Sequence, residues 1–283
     1  MIKILHHFRS SYKFTFTIQR QRKLYNSRRL LTLTSCEKDK KMNSEVLGES
    51  SHGVKGHRLS SENTKIIEPF SHFISLPLAI HPNLVKELFN FQSTILQNEK
   101  PQTLLDLGIE KSIFINPKTF HLTVLMLKLS TKEKVNAAKM VLQNIHPEVM
   151  NSLCHRPLEI RLAGLECMKG SITKAKVVYA KVSEVGGGDR LIHACDVIRR
   201  AYKKAGLVPA DDFSQLKLHA TLMNVSHRRG KRRRNDYFDG RGVFEHFGVK
   251  EWGTYPIREA HLSQRFAYDE SGYYHCCTSI PFQ

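Results

Sequence analysis

The feature that most constrains the fold of this chain is a supersecondary unit that occurs twice. A predicted strand, a helix and a second strand carrying His-x-Thr occupy residues 70–127, and the same order recurs over residues 176–225. Such a repeat predicts two similar lobes that face each other. Because several connections between strands are too short for parallel crossovers, the pattern indicates an α+β fold. We therefore expect a bilobal architecture, with two pseudo-symmetric sheet-plus-helix lobes around a central cleft.

Hydrophobic periodicity assigns the other elements. Helices are predicted to begin at Asn83, at a Ser130/Glu133 capping box, and at Asp189, with Gly206 ending the third. Runs rich in β-branched and aromatic residues predict strands at 70–78, 120–127, 158–168, 176–182, 216–225, 255–266 and 273–282.

The two His-x-Thr motifs are the candidate site. Residues i and i+2 of a strand point to the same face, so His121 and Thr123 form one pair and His219 and Thr221 the other. An imidazole with a pKa near ~6.5 accepts or donates a proton at neutral pH, and two can do both at once. Hydroxyl groups are donors suited to phosphate oxygens. Together these groups predict hydrolysis of a phosphodiester without a metal.

A structural interpretation of these histidines stays open. His261 begins a third His-x-[Ser/Thr] tripeptide, which has no counterpart in the other repeat, so we treat it as a chance or structural occurrence. His121 and His219 could likewise be half-buried strand histidines bonded to their neighbours. The duplicated setting favours the catalytic interpretation. Phe73, Tyr255 and Tyr274 are candidates for base stacking, with core packing as the alternative.

The positive charge of the chain is concentrated in two segments. Lys and Arg total 44 against 26 Asp and Glu, a formal charge of +18, which favours a polyanionic partner. Residues 1–36 are basic and contain no acid. A second cluster follows the second His-x-Thr strand, and its members are candidate RNA contacts: Arg228, Arg229, Lys231, Arg232, Arg233 and Arg234. A nuclear localisation signal and a solvated loop are the other interpretations of this cluster.

The chain divides at about residue 70. Residues 1–69 are predicted to be a basic leader and a disordered linker, and residues 70–283 a folded domain. The acid-free leader is typical of a mitochondrial or plastid transit peptide, with an untargeted basic tail as the alternative. The absence of a long apolar run excludes a membrane-embedded protein, and the cysteine spacing indicates no zinc site.

Longer motifs carry a family resemblance. The segments SHFISLPL (71–78), SIFINPKTFHLTVLML (112–127), LKLHATLMN (216–224) and FDGRG (238–242) resemble the 2H phosphoesterase superfamily, and within it the A-kinase anchor protein 7-like domain. The resemblance implies a bilobal α+β fold and no metal or cofactor. It also implies that His121 and His219 act as general acid and base, while Thr123 and Thr221 hold the phosphate.

The expected function is a phosphoesterase that acts on RNA ends or nucleotides, such as 2′,3′-cyclic phosphates. The alternative is a non-catalytic nucleotide- or RNA-binding subunit of a transcription-coactivator or DNA-repair complex, because this domain occurs in an activating signal cointegrator complex. Its relatives there carry an RNA-binding KH domain, for which the chain before Phe70 is too polar and too short. The basic cluster and the resemblance indicate a nuclear protein, whereas the leader indicates an organelle.

Overall fold

A computed structural model describes residues 68–208, 215–228 and 236–282. Eight strands in this part of the chain form one antiparallel sheet in the order β6-β3-β4-β5-β2-β1-β7-β8. The strands are β1 (His72–Pro77), β2 (His121–Leu127), β3 (Leu158–Lys169), β4 (Val177–Glu184), β5 (His219–Asn224), β6 (Glu251–Ile257), β7 (Glu259–Tyr268) and β8 (Tyr274–Pro281).

The strand order is symmetric about the junction of β5 and β2. Each half of the sheet contains four strands, and the two halves are joined at a single residue pair, Leu122 and Ala220. The two central strands are the ones that carry His-x-Thr. The duplication in the sequence therefore becomes a near two-fold relation between the halves of the sheet, with both motifs at its centre.

The helices cover one face of each half. They are α1 (Pro82–Asn98), α2 (Pro101–Asp106), α3 (Lys132–Asn144), α4 (His146–Ser152), α5 (Arg190–Lys204) and α6 (Arg241–Phe247). The apolar residues of α1 recur at helical spacing, and one of them, Phe91, packs edge-on against Trp252 of β6. Helix α3 packs on β7 and β8, and Tyr202 of α5 donates a hydrogen bond to the Ala138 carbonyl of α3 (2.7 Å).

The fold class is confirmed, because two similar sheet-plus-helix halves form one α+β domain. Several boundaries were wrong. The predicted strand 255–266 is two strands, β6 and β7, which are separated at Arg258 and lie in different halves of the sheet. Helix α3 is capped by Thr131, whose hydroxyl accepts from the Lys134 amide, rather than by a Ser130 capping box. Helix α1 starts at Pro82, a residue favoured in the first helical turn, so Asn83 lies inside it.

The short helices α2, α4 and α6 were missed, because segments of six or seven residues show too little periodicity. The predicted basic leader and linker lie outside the described residues, apart from Glu68 and Pro69. Among the described residues, no helix is long and apolar enough to span a bilayer.

Candidate functional site

The two His-x-Thr motifs meet on one face at the centre of the sheet. Leu122 and Ala220 are paired and fully buried, and the residues on either side of them point to the opposite face, where they are partly exposed. Since β2 and β5 are antiparallel, this register sets His121 across from Thr221 and Thr123 across from His219. The two imidazoles are therefore diagonal neighbours, about 7–8 Å apart at the backbone in such a pair.

The imidazole of His121 is held from both sides. Its Nδ1 lies 2.6 Å from the Thr119 carbonyl oxygen, and its Nε2 lies 3.1 Å from Thr123 Oγ1. A carbonyl can only accept, so Nδ1 carries the proton and Nε2 accepts from the Thr123 hydroxyl. The rings of Phe73 and Tyr274 lie 5.0 Å and 5.6 Å from the imidazole. These contacts fix both the tautomer and the orientation of His121.

His219 repeats the same hydrogen bond in the other half. Its Nδ1 donates to the Lys217 carbonyl oxygen (2.7 Å), two residues earlier, as that of His121 does to Thr119. The ring of Tyr179 packs edge-on against it at 5.4 Å. The Tyr179 hydroxyl donates to Glu166 Oε2 (2.5 Å), which also accepts from Lys217 Nζ (3.2 Å). Both histidines thus keep Nε2 as a proton acceptor toward the exposed face.

The two imidazoles differ in electrostatics. The pKa of His121 is lowered to about 4, chiefly by burial and to a smaller extent by the nearby His219 and His227, while the hydrogen bond to Thr119 raises it. Burial also lowers the pKa of His219, with a smaller contribution from Lys217. His121 is therefore held unprotonated at neutral pH, in the state that a general base requires.

The first residue of the basic cluster, Arg228, has intramolecular partners. Its guanidinium contacts Asp236, lies 2.8 Å from Glu110 Oε1, and donates to the Gly108 carbonyl oxygen (2.5 Å). Arg228 therefore ties the loop after β5 to the loop after α2. The other five basic residues of the cluster lie outside the described residues.

A cavity of about 530 Å³ adjoins His219. Its lining includes Glu166, Tyr179, Lys181 and Lys217. Lys217 also carries the carbonyl that accepts from His219, so this cavity lies beside the second motif. A second cavity, of about 570 Å³, lies by the start of α1 and is away from both histidines.

A family comparison covers this whole site. Residues 70–282 match the model described as "AKAP7 2'5' RNA ligase-like domain", which is a 2H phosphoesterase family. The chain belongs to this family. The matched residues contain both His-x-Thr strands and all eight strands of the sheet. Membership supports an activity of the phosphoesterase type.

Individual relatives share about a third or less of their aligned residues with this chain. The chain is 30% identical over 232 residues to "Activating signal cointegrator 1 complex subunit 1" of Mus musculus, covering 76% of this chain and 64% of that protein. It is 21% identical over 211 residues to "A-kinase anchor protein 7 isoform gamma" of Homo sapiens, covering 74% and 56%. The chain thus spans less than two thirds of the length of these two relatives. A solved structure of E. coli LigT complexed with NADP+ superposes with a TM-score of 0.47 at 14% identity, covering 76% of this chain and 99% of LigT.

The remaining sequence candidates fall into two groups. Phe73 and Tyr274 contact His121, whereas Tyr255 lies in β6 against His81, and His261 pairs with Glu259 at 3.0 Å. Sequence reasoning missed Tyr179 and His227, which lie close to the two imidazoles. Tyr179 lies on β4 across from Thr221, so pairing the predicted strands β4 and β5 could have found it. The sequence offers no comparable signal for His227. No group of three His, Cys, Asp or Glu suited to a metal ion occurs among the residues described.

Proposed function

We propose that this protein is a metal-independent phosphoesterase that hydrolyses a 2′,3′-cyclic phosphate at an RNA end, by acid/base catalysis from two histidines. The observation that supports this most directly is the shared geometry of the two imidazoles. Each Nδ1 donates to the carbonyl two residues earlier, and the two histidines are diagonal neighbours on one face. We propose that the phosphate binds between these two proton-transfer groups.

The unequal environments of the two histidines favour a different role for each. His121 Nε2 takes a proton from water, the water oxygen forms a bond to phosphorus, and the bond from phosphorus to one ribose oxygen breaks. His219, in its protonated form, gives its Nε2 proton to that departing oxygen. The negative charge of the bound cyclic phosphate, a monoanion, favours this charged form of His219, which is less enclosed than His121. Proton exchange with solvent then restores both imidazoles.

The two threonine hydroxyls complete the proposed site. Thr221 faces His121 and Thr123 faces His219 across the strand pair, so a phosphate between the imidazoles lies within reach of both hydroxyls. They donate to the non-bridging oxygens as charge builds on them in the transition state. When phosphate binds, the Thr123 hydroxyl turns from His121 Nε2 to a phosphate oxygen, which frees Nε2 to accept from water. The five basic residues after Arg228 are proposed to contact the RNA backbone, and their cluster supports a nuclear location.

The test uses the full-length chain and an oligoribonucleotide that ends in a 2′,3′-cyclic phosphate. His121→Gln and His219→Gln are each expected to lower the rate by about 10²–10⁴, since general acid/base catalysis contributes that much. The matched control is His193→Gln, because His193 is exposed on α5. The rate is expected to survive EDTA and to show a bell-shaped pH profile. Equal rates for all three variants would refute the proposal.

The alternative function is a non-catalytic subunit that binds nucleotides or RNA. The relative named "Activating signal cointegrator 1 complex subunit 1" favours it, because that name describes a member of an assembly. Under this alternative, the partners are other subunits of a cointegrator-like complex with transcription-coactivator or DNA-repair roles. Binding of the cyclic-phosphate oligonucleotide, with no turnover by the unaltered chain, would support this alternative over the enzyme.

A further inference from the structure

A row of aromatic rings leads from His121 to the protein surface. The ring of Tyr274 lies 5.6 Å from that of His121 at 87°, and the ring of Tyr268 lies 5.5 Å from Tyr274 and nearly parallel to it, at 28°. Tyr268 is 56% exposed. Its outer face is therefore open for a further flat ring to stack on it. Only the ring of Tyr274 separates this position from His121, the proposed general base.

The hairpin between β7 and β8 directs these rings to the same face as the histidines. Tyr268 and Tyr274 are paired across the hairpin. Tyr274 packs edge-on against Phe73 (4.9 Å), which itself contacts His121, so Tyr274 lies on the face of the histidines. Its neighbour Tyr273 is buried and hydrogen-bonds Ser75. Packing explains Tyr273, whereas nothing in the described structure covers the outer face of Tyr268.

Two cations and two carboxylates surround these rings. Phe266, 75% exposed, is held at a positive φ of 63° with the Arg265 guanidinium 4.6 Å from its ring centre. Lys118 lies beside Gly272 in the hairpin turn. In the same turn, Glu270 is exposed, and the Asp269 carboxylate accepts hydrogen bonds from the Ser271 and Tyr273 amides. Exposed π faces beside cations are the combination that binds single-stranded nucleic acid.

We propose that Tyr268 and Tyr274 form a platform on which an unpaired base stacks, next to the phosphate held between His121 and His219. The platform makes a single-stranded RNA end the substrate, in preference to a mononucleotide or a paired end. The proposal rests on the proposed function for the identity of that phosphate. Stacking tolerates any base, since every base has a π face, so the platform selects for an unpaired strand rather than for a sequence.

The test measures binding separately from catalysis. A 5′-labelled single-stranded oligoribonucleotide with a 2′,3′-cyclic phosphate is titrated with the full chain carrying His219→Gln, and its Kd is read by fluorescence anisotropy. Adding Tyr268→Ala is expected to weaken binding about 5- to 150-fold, the range for one stacked base. Tyr268→Phe keeps the ring and is expected to bind like the parent. Tyr237→Ala removes an exposed tyrosine from the loop before α6 and serves as the matched control.

A second arm identifies the stacked base. Abasic sites are placed in turn at the last three nucleotides of the oligonucleotide. One of them is expected to weaken binding to the parent as much as Tyr268→Ala does, and to have no further effect in that variant. Equal binding by the parent and Tyr268→Ala, an equal loss in Tyr237→Ala, or no measurable binding by the parent would each overturn the platform.

Turnover distinguishes this inference from the proposed function. With His219 restored, Tyr268→Ala is expected to raise KM for the oligonucleotide about 5- to 150-fold, whereas Tyr237→Ala, which lies outside the platform, is expected to hydrolyse it like the unaltered chain. If no variant hydrolyses the oligonucleotide while the Tyr268-dependent loss of binding persists, the catalytic proposal is refuted and the platform stands as part of a binding site.

Discussion

The pH dependence of folding gives a direct measure of how strongly the structure constrains His121. Its pKa is lowered to about 4 in the folded protein, chiefly by burial, whereas it is about 6.5 in an unfolded chain. Between these values the unfolded state binds more protons than the native state. The free energy of unfolding therefore falls as the pH falls from 6.5 to 4, and is unaffected by this group above that window.

The magnitude follows from the size of the shift. Each pKa unit corresponds to about 1.4 kcal/mol, so the complete effect is about 3 kcal/mol, of which about 2 kcal/mol lies between pH 7 and pH 4.5. Both are upper values, because part of the His121 ring stays open on the exposed face. His121→Gln removes this contribution and leaves those of His72, His81 and His219, whose pKa values are also lowered by burial.

The assay is urea unfolding of the full-length chain at pH values from 4.5 to 7.5. The stability of the unaltered chain relative to His121→Gln is expected to rise by about 2 kcal/mol between pH 4.5 and 7. His193→Gln, an exposed position, is expected to track the unaltered chain throughout. A constant difference between the unaltered chain and His121→Gln across this range would show that His121 titrates alike in both states. The assignment of His121 as the neutral base would then lose its support.

Other substitutions test the site and its scaffold. Thr123→Val and Thr221→Val keep the β-branched shape, and each is expected to lower kcat by about 10²–10³ with little change in Kd for the substrate; an unchanged kcat would contradict the phosphate contact. Gly164→Ala is expected to destabilise the chain by about 1–3 kcal/mol in urea unfolding, because Gly164 has a φ of +63° and an added Cβ would lie 3.1 Å from the Gly248 carbonyl oxygen. Gly242→Ala meets no atom within 4 Å in helix α6 and is expected to be neutral or stabilising by up to about 1 kcal/mol. Phe91→Ala empties a fully packed position between α1 and β6 and is expected to cost about 3–5 kcal/mol in the same assay, and a loss below 1 kcal/mol would contradict that packing.

Local patterns in the sequence were enough to predict the repeated unit and its elements. Alternation in HLTVLML and HATLMN predicted the two central strands and the common direction of each His and Thr, because the period of a strand is independent of its neighbours. Helix α5 was likewise located from its periodic apolar residues and the glycine that follows it. The exact caps of α1 and α3 were wrong, since neighbouring polar residues compete for the same role within one turn.

The tertiary structure gives the two histidines different environments. The two motifs have nearly the same sequence, yet His121 is enclosed by Phe73 and Tyr274, from strands remote in sequence, whereas His219 lies beside Tyr179 and an open cavity. The ion pairs of Arg228 likewise depend on the fold, because Glu110 is remote from Arg228 and Asp236 in the sequence. The sequence by itself determined that two imidazoles lie on equivalent strands. Their difference in pKa, and the aromatic row beside one of them, depend on long-range packing, which a local pattern does not encode.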